Sequence, residues 1–273
     1  MSAVSVNGIP ADGAAPRRNG VVAFFRDTLL ITRRHLLRTW RTPQIMIFSA
    51  IMPVVFVLLF RYVFGGAIHV PGYAHYVDYL IPGIVVQTVI FGGSSTAVGL
   101  ADDLASGMTD RLRSLPTHRS AILAARTLGD LLRLTYTVAL VIAVGLLVGF
   151  RFHNALLPVL GGIGIALLFG YACSWLFGLL ALGVRHSETA QLAAFLVTFP
   201  VVFASSIFAS PATMPTWLRD FASNQPVTKV VTALRVMVEG SGPVTRPALY
   251  ATAWSVGILI VSATLATRRF RRT

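Results

Sequence analysis

Leu100–Arg126 reads LADDLASGMTDRLRSLPTHRSAILAAR, a polar and charged stretch between two apolar runs that are each long enough to cross a bilayer. Leu100, Leu104, Met108, Leu112 and Leu115 recur at helical spacing, which predicts one apolar stripe on an otherwise charged helix. Asp102 and Asp103 are expected to open that helix, and Arg111 and Arg113 to fall in its last turn. Both placements suit the macrodipole, and Pro116 supplies the stop. A short amphipathic helix between two spans is a docking surface for a soluble partner. Its plainer reading is a solvated loop helix with no partner.

Outward from this stretch the chain is greasy. Of 273 residues, 55% are hydrophobic and 12% charged, about half the charged fraction of a soluble domain. Six spans are expected, at roughly 44–64, 80–99, 128–150, 156–182, 189–208 and 248–266. Residues 1–20 read as a disordered tail rich in Ala, Gly, Pro and Ser, and 21–273 as one membrane domain. Arg17 and Arg18 are not followed by a clean apolar run, because Arg26, Arg33 and Arg34 interrupt it, so a cleaved signal is not expected. Residues 21–41 read as an interfacial helix, with Val22, Phe25, Leu29, Leu36 and Trp40 on one face and Arg34, Arg38 and Arg41 on another. In the second span Gln87, Thr88, Ser94, Ser95 and Gly92-Gly93 suit close helix approach. Arg126, Asp130 and Arg133 follow one another at i, i+4 and i+7 and can pair along one face of the third. Residues 209–247 are too polar to span and read as an outer segment.

Charge sets the expected orientation. The N-terminal segment holds seven arginines, the central stretch with the start of the third span five, the turn before the fifth span one and the tail four. That places 17 of the 23 basic residues on one face, which predicts cytoplasmic termini in a multi-pass plasma-membrane protein. The net charge of +13 has no compact basic domain to hold it, so nucleic acid is not an expected partner. Cys173 stands alone and fits neither a disulfide nor a metal cluster. HExxH, CxxC, GxSxG and a dinucleotide fingerprint are all lacking, so no catalytic, metal or cofactor site is expected. Lys229, the single lysine, follows Thr228 in the outer segment and cannot serve a P-loop. The acidic residues Asp102, Asp130 and Glu188 fall at span ends, away from the midplane where ion-driven carriers place theirs. Energy must then come from a partner.

The central stretch, with its acidic pair, Gly107, Asp110-Arg111-Leu112, Ser114-Leu115-Pro116 and Arg119, resembles the cytoplasmic signature of type-2 ABC exporter permeases. Met214-Pro215-Thr216-Trp217-Leu218, Asn224-Gln225-Pro226-Val227-Thr228 and Ala233-Leu234-Arg235 resemble that family's outer segment, especially its daunorubicin-resistance branch. The resemblance covers essentially the whole chain. It implies an all-α integral membrane fold of six transmembrane helices, with the N-terminal interfacial helix, a cytoplasmic coupling helix, and an outer segment that is either re-entrant or an ordinary loop. It implies a permease subunit, without an ATP-binding motif of its own, that works with a separate ATP-binding cassette subunit and a second permease in a homodimer or heterodimer. The expected cargo is an amphipathic drug-like compound. The alternatives are a lipid, polyketide-linked or glycan envelope component, or a non-transporting assembly or sensor protein. The resemblance places ATPase coupling at Asp102, Asp103, Leu104, Gly107, Met108, Asp110, Arg111, Leu112, Arg113 and Pro116, at 24–41, and at Arg185, His186 and Glu188. It makes Gln87, Thr88, Phe91, Phe199, Phe203 and Ser205 candidates for the substrate path, against ordinary helix packing as the plainer role of each.

Overall fold

The computed structural model describes residues 43–66, 68, 70, 72–73, 75–106, 119–184 and 186–272, with backbone alone for 43–49, 119–125 and 270–272. The expected tail, the interfacial helix, Gly107, Met108, Asp110, Arg111, Leu112, Arg113, Pro116 and Arg185 lie outside the described residues. The described chain is helical: α1 (Pro43–Leu59), continued as one π-turn over Phe60–Phe64, α2 (Tyr76–Ala105), α3 (Arg119–Leu147), α4 (Leu156–Ala181) and α5 (Ser187–Phe203). A 3₁₀ turn (Pro211–Thr213), α6 (Thr216–Asn224), α7 (Pro226–Glu239) and α8 (Thr245–Arg272) complete it. Among the described residues α2, α3, α4 and α8 are long and apolar enough to cross a membrane, while α5 and the 50–64 segment are shorter apolar helices.

The helices are arranged around α2. It packs against α1, α3, α4, α5 and α7, and α4 in turn carries α8 and α7. In its apolar stretch 67% of residues are buried, against 17% for α8, so α2 is the axis and α8 the rim. Glycines let the backbones close in. A Cβ on Gly93 would stand 3.1 Å from the backbone nitrogen of Ser174 on α4, and one on Gly83 would stand 2.6 Å from the carbonyl oxygen of Ile207. Leu147, Leu157, Leu192 and Leu196 are 70–86% exposed. Such a surface is stable against hydrocarbon rather than water.

Two boundaries depart from the expectation. Asp102 and Asp103 do not open a new helix; they close α2, which runs unbroken for 30 residues until Ser106 donates its N–H to the Asp102 carbonyl. At 1.5 Å per residue such a helix is about 45 Å long, more than the roughly 30 Å hydrocarbon core, so it must protrude at its ends. The helix expected over 189–208 stops at Phe203 and gives way to a turn at 204–208. By contrast α4 matches its expected span to within one residue.

That turn is non-helical backbone, and side chains from α2 and α7 take up its carbonyls. Gln225 Nε2 donates to Ala204 O at 2.6 Å, Tyr79 Oη to Ser206 O at 2.8 Å and Tyr76 Oη to Phe208 O at 3.0 Å. Arg235 donates from Nη2 to Ile207 O at 3.0 Å and from Nε and Nη2 to Tyr79 O, with its guanidinium 3.4 Å from the Tyr79 ring centroid. The same contacts hold α7, nine of whose fourteen residues are buried, against α2, α4 and α8. At its far end Gly240 takes the left-handed conformation (φ 68°) that closes a helix, and His153 N and Asn154 Nδ2 serve the Val238 and Met237 carbonyls.

Arg235→Met should therefore leave the Ile207 carbonyl buried and unpaired, at a cost of about 1–3 kcal/mol. We expect a lower melting midpoint of the solubilised chain by size-exclusion fluorescence, with Arg246→Met, at an exposed position, unchanged. Equal midpoints for Arg235→Met and wild type would contradict this role.

Candidate functional site: the charged end of the bundle and the aromatic face

The ends of α2, α4 and α8 meet at one end of the bundle. Leu100 of α2 reaches towards Gly178 of α4, and the Arg269 guanidinium of α8 lies beside Gly183. Here Asp102 is exposed, Asp103 and Leu104 are half-buried, and Leu104 packs on the hydrophobic core. His186 and Glu188 are exposed at the start of α5, where Glu188 suits the helix N-terminus. The described members of the expected coupling set thus share one end of the molecule.

Carboxylates at the C-terminal end of α2 oppose its macrodipole. Arg126 answers them from α3 through an ion pair with Asp103. Below it Asp130 accepts from Thr96 Oγ1 at 2.7 Å and lies 3.7 Å from Arg133. Arg133 Nη2 in turn donates to Ser95 Oγ at 2.5 Å and to the Gly92 carbonyl at 3.1 Å. The expected pairing along one face of α3 is therefore half right. Arg133 and Asp130 pair on α3, but Arg126 crosses to α2. A charged seam thus ties the end of α2 to the start of α3.

The substrate-path candidates divide. Gln87 and Thr88 are buried in α2, Thr88 bonded back to the Ile84 carbonyl at 2.7 Å and Gln87 Oε1 without a partner. Ser205 is buried in the turn and bonded to the Val202 carbonyl, and Phe91 is half-buried. Phe199 and Phe203 instead are exposed, and they belong to an aromatic ladder. Ring centroids step from Phe195 to Phe199 (5.2 Å), Phe203 (4.3 Å), Phe208 (5.2 Å) and Phe60 (4.5 Å). The i, i+4, i+8 spacing of Phe195, Phe199 and Phe203 was readable, but their continuation onto α1 through Phe208 depends on the turn.

At the opposite end of the bundle, Asp78 lies 4.0 Å from His75 and accepts from Arg151 N, and Glu239 lies 3.6 Å from His153. Burial, and then the nearby Asp78 carboxylate, push the Glu239 carboxyl above its ordinary range, with His153 opposing. Arg235 itself was missed as a site residue. It sits four and eight positions after Val231 and Val227, in phase with the buried face of α7, and a cation at an apolar position was the available signal.

An all-helical, lipid-facing bundle with a charged seam at one end is the architecture of a multi-pass membrane subunit that a soluble partner can engage. Residues 26–238 match the family described as ABC-2 type transporter, and the chain belongs to that family. It is similar to the daunorubicin resistance ABC transporter permease protein DrrB1 of Streptomyces coeruleorubidus, 36% identical over 226 residues that cover 82% of this chain and 76% of that one. It is similar also to a probable doxorubicin resistance ABC transporter permease protein, DrrC, of Mycobacterium tuberculosis, 28% identical over 256 residues, 93% and 92% of the two chains. A putative transport permease, ycf38, of Pyropia yezoensis is 29% identical over 218 residues, 76% and 72% of the two.

The seam makes a stability prediction. Asp103→Arg and Arg126→Asp should each lower the melting midpoint, and the double exchange should recover part of the loss. An interaction energy on the order of 1 kcal/mol is expected for a half-exposed pair. Strictly additive midpoints would mean that the pair does not bind α2 to α3.

Proposed function

We propose that this chain is the membrane half of an ATP-driven exporter for an amphipathic, drug-like compound, paired with a second permease subunit and two ATP-binding cassette subunits. The carrying observation is the gathering of Asp102, Asp103, Leu104, His186 and Glu188 at one end of the bundle in a chain of this family. The drug-resistance names of its relatives support the cargo class. In this reading that end faces the cytoplasm, both termini lie with it, and six segments cross the bilayer, with the 50–64 segment and α5 as the two short ones. Residues 209–239 then re-enter from outside. Buried irregular backbone is tolerated at membrane depth only where protein satisfies it, and the 204–208 turn meets that condition.

Coupling runs through the stretch after α2. Met108, Asp110, Arg111, Leu112 and Arg113, with Gly107 and Pro116 bounding them, form the surface on which the ATPase bears, and the turn at Arg185, His186 and Glu188 forms its second contact. Force on that surface reaches α3 through the Asp103–Arg126 pair and reaches the far end of the molecule along α2. The exposed ladder of Phe199 and Phe203 offers the cargo a continuous aromatic wall, and Gln87, Thr88, Phe91 and Ser205 are the further candidates for its path.

If Met108 and Leu112 seat in a groove of the ATPase, burial of each contributes about 1.5–3 kcal/mol. Met108→Asp or Leu112→Asp should then weaken co-purification with the ATPase tenfold or more at unchanged membrane abundance. Asp110→Ala and Arg113→Ala should cost less. Normal co-purification of both aspartate variants would remove this surface from the coupling path.

A further inference from the structure

A cavity of about 480 Å³ lies where α4, α5 and α8 meet the junction of α6 and α7, with Phe169, Cys173, Thr198, Val201, Gln225 and Trp254 among its walls. Its lining shares no residue with the aromatic ladder or the coupling surface, although residues 224–227 of the outer motif border it. Its volume falls within the roughly 300–1,000 Å³ of small-molecule sites. Three observations define what it can hold. Its walls are almost wholly apolar. Among the described residues its lining includes no carboxylate, lysine or arginine, so an ion entering it would lose its hydration without a counter-charge. Two oxygens on its walls are left without partners, although both residues are more than nine-tenths buried: Thr198 Oγ1 and Gln225 Oε1. The Gln225 amide is oriented by its own bond, since Nε2 is committed to Ala204 O, which leaves Oε1 as a covered acceptor without a partner. Val197, Phe221 and Trp254 are 45–52% exposed and open the cavity to the surrounding hydrocarbon.

We propose that this cavity is a binding site for one neutral amphiphile drawn from the bilayer, an apolar chain or ring system that ends in a hydroxyl or N–H group. The apolar body fills the space between α4 and α8, and small side-chain rotations on entry turn the Thr198 hydroxyl and Gln225 Oε1 towards its donor. Gln225 closes α6, precedes Pro226 at the start of α7 and holds the 204–208 turn, so the occupant bears on the hinge of the outer hairpin. The site does not depend on the export reading, and its test needs no ATPase.

The full chain is placed in phosphatidylcholine nanodiscs and photolabelled with three diazirine probes of equal chain length: a diacylglycerol, its acetyl-capped form and a phosphatidic acid. Cross-linked peptides are then mapped. The diacylglycerol should label 169–177 and 197–201 at least fivefold more than either other probe, while labelling around Leu157, an open lipid-facing position, should be equal for all three. Val201→Trp, which fills the cavity, should abolish the preference. Thr198→Val should reduce it severalfold without loss of fold, because that hydroxyl has no partner to lose. Competition separates the sources of the ligand: unlabelled diacylglycerol displacing the probe assigns the site to a membrane lipid, and 2-hydroxyanthraquinone, whose hydroxyl is free to donate, displacing it assigns the site to a ring compound. Equal labelling by the three probes, indifference to Val201→Trp, displacement by neither competitor, or protection against every probe by a second copy of the chain would each overturn the proposal.

Discussion

Five residues of irregular backbone, 204–208, lie against the apolar core between α5 and the outer hairpin, and the surrounding structure is built to satisfy them. In hydrocarbon or a dry protein interior an unpaired carbonyl costs several kilocalories per mole. Four of the turn's carbonyls are met by side chains from two other elements: Tyr76 and Tyr79 from the first turn of α2, and Gln225 and Arg235 from α7 and its cap. Among the described residues the Arg235 guanidinium has no carboxylate as a hydrogen-bond partner; it is held by carbonyls and by the face of Tyr79. Its planar fork serves two carbonyls while its face lies on the Tyr79 ring, a geometry that the compact ammonium of a lysine does not reproduce. The turn therefore fixes α5, α7 and the start of α2 relative to one another.

The other end of α2 carries the Asp103–Arg126 pair and the polar contacts of Asp130 and Arg133. One helix thus connects a charged seam and a carbonyl-lined knot, with close glycine contacts to α4 between them. A rigid rod fastened at both ends transmits displacement instead of absorbing it. In the proposed exporter this lets an event at the ATPase surface reach the outer hairpin without a separate relay.

The sequence made some of this readable and concealed the rest. The limits of α4 were legible because Leu156 and Ala181 are flanked by polar turns that stop an apolar run. Phe199 and Phe203 were singled out through the family resemblance, and the structure stacks their rings 4.3 Å apart. The end of α5 was not legible, because Ser206 leaves the helix for partners 22 and 127 residues away in the chain, Thr228 and Tyr79, which no local pattern encodes. Asp102 and Asp103 misled for a related reason. Local electrostatics favour acidic residues at a helix start, and a tertiary contact, Arg126, offsets the cost of placing them at an end. The cavity around Thr198 and Gln225 arises only from the packing of six helices, which no local pattern encodes.

The central claim is that the chain moves an amphipathic compound with energy supplied by a separate ATPase. The direct measurement is uptake into inverted vesicles that contain this subunit and its ATP-binding partner, followed with daunorubicin as the fluorescent cargo. The account predicts accumulation that requires ATP and both subunits, and none with either subunit alone. Accumulation by this chain without the ATPase, or ATP hydrolysis by the complete assembly with no movement of any amphipathic cargo tried, would contradict it.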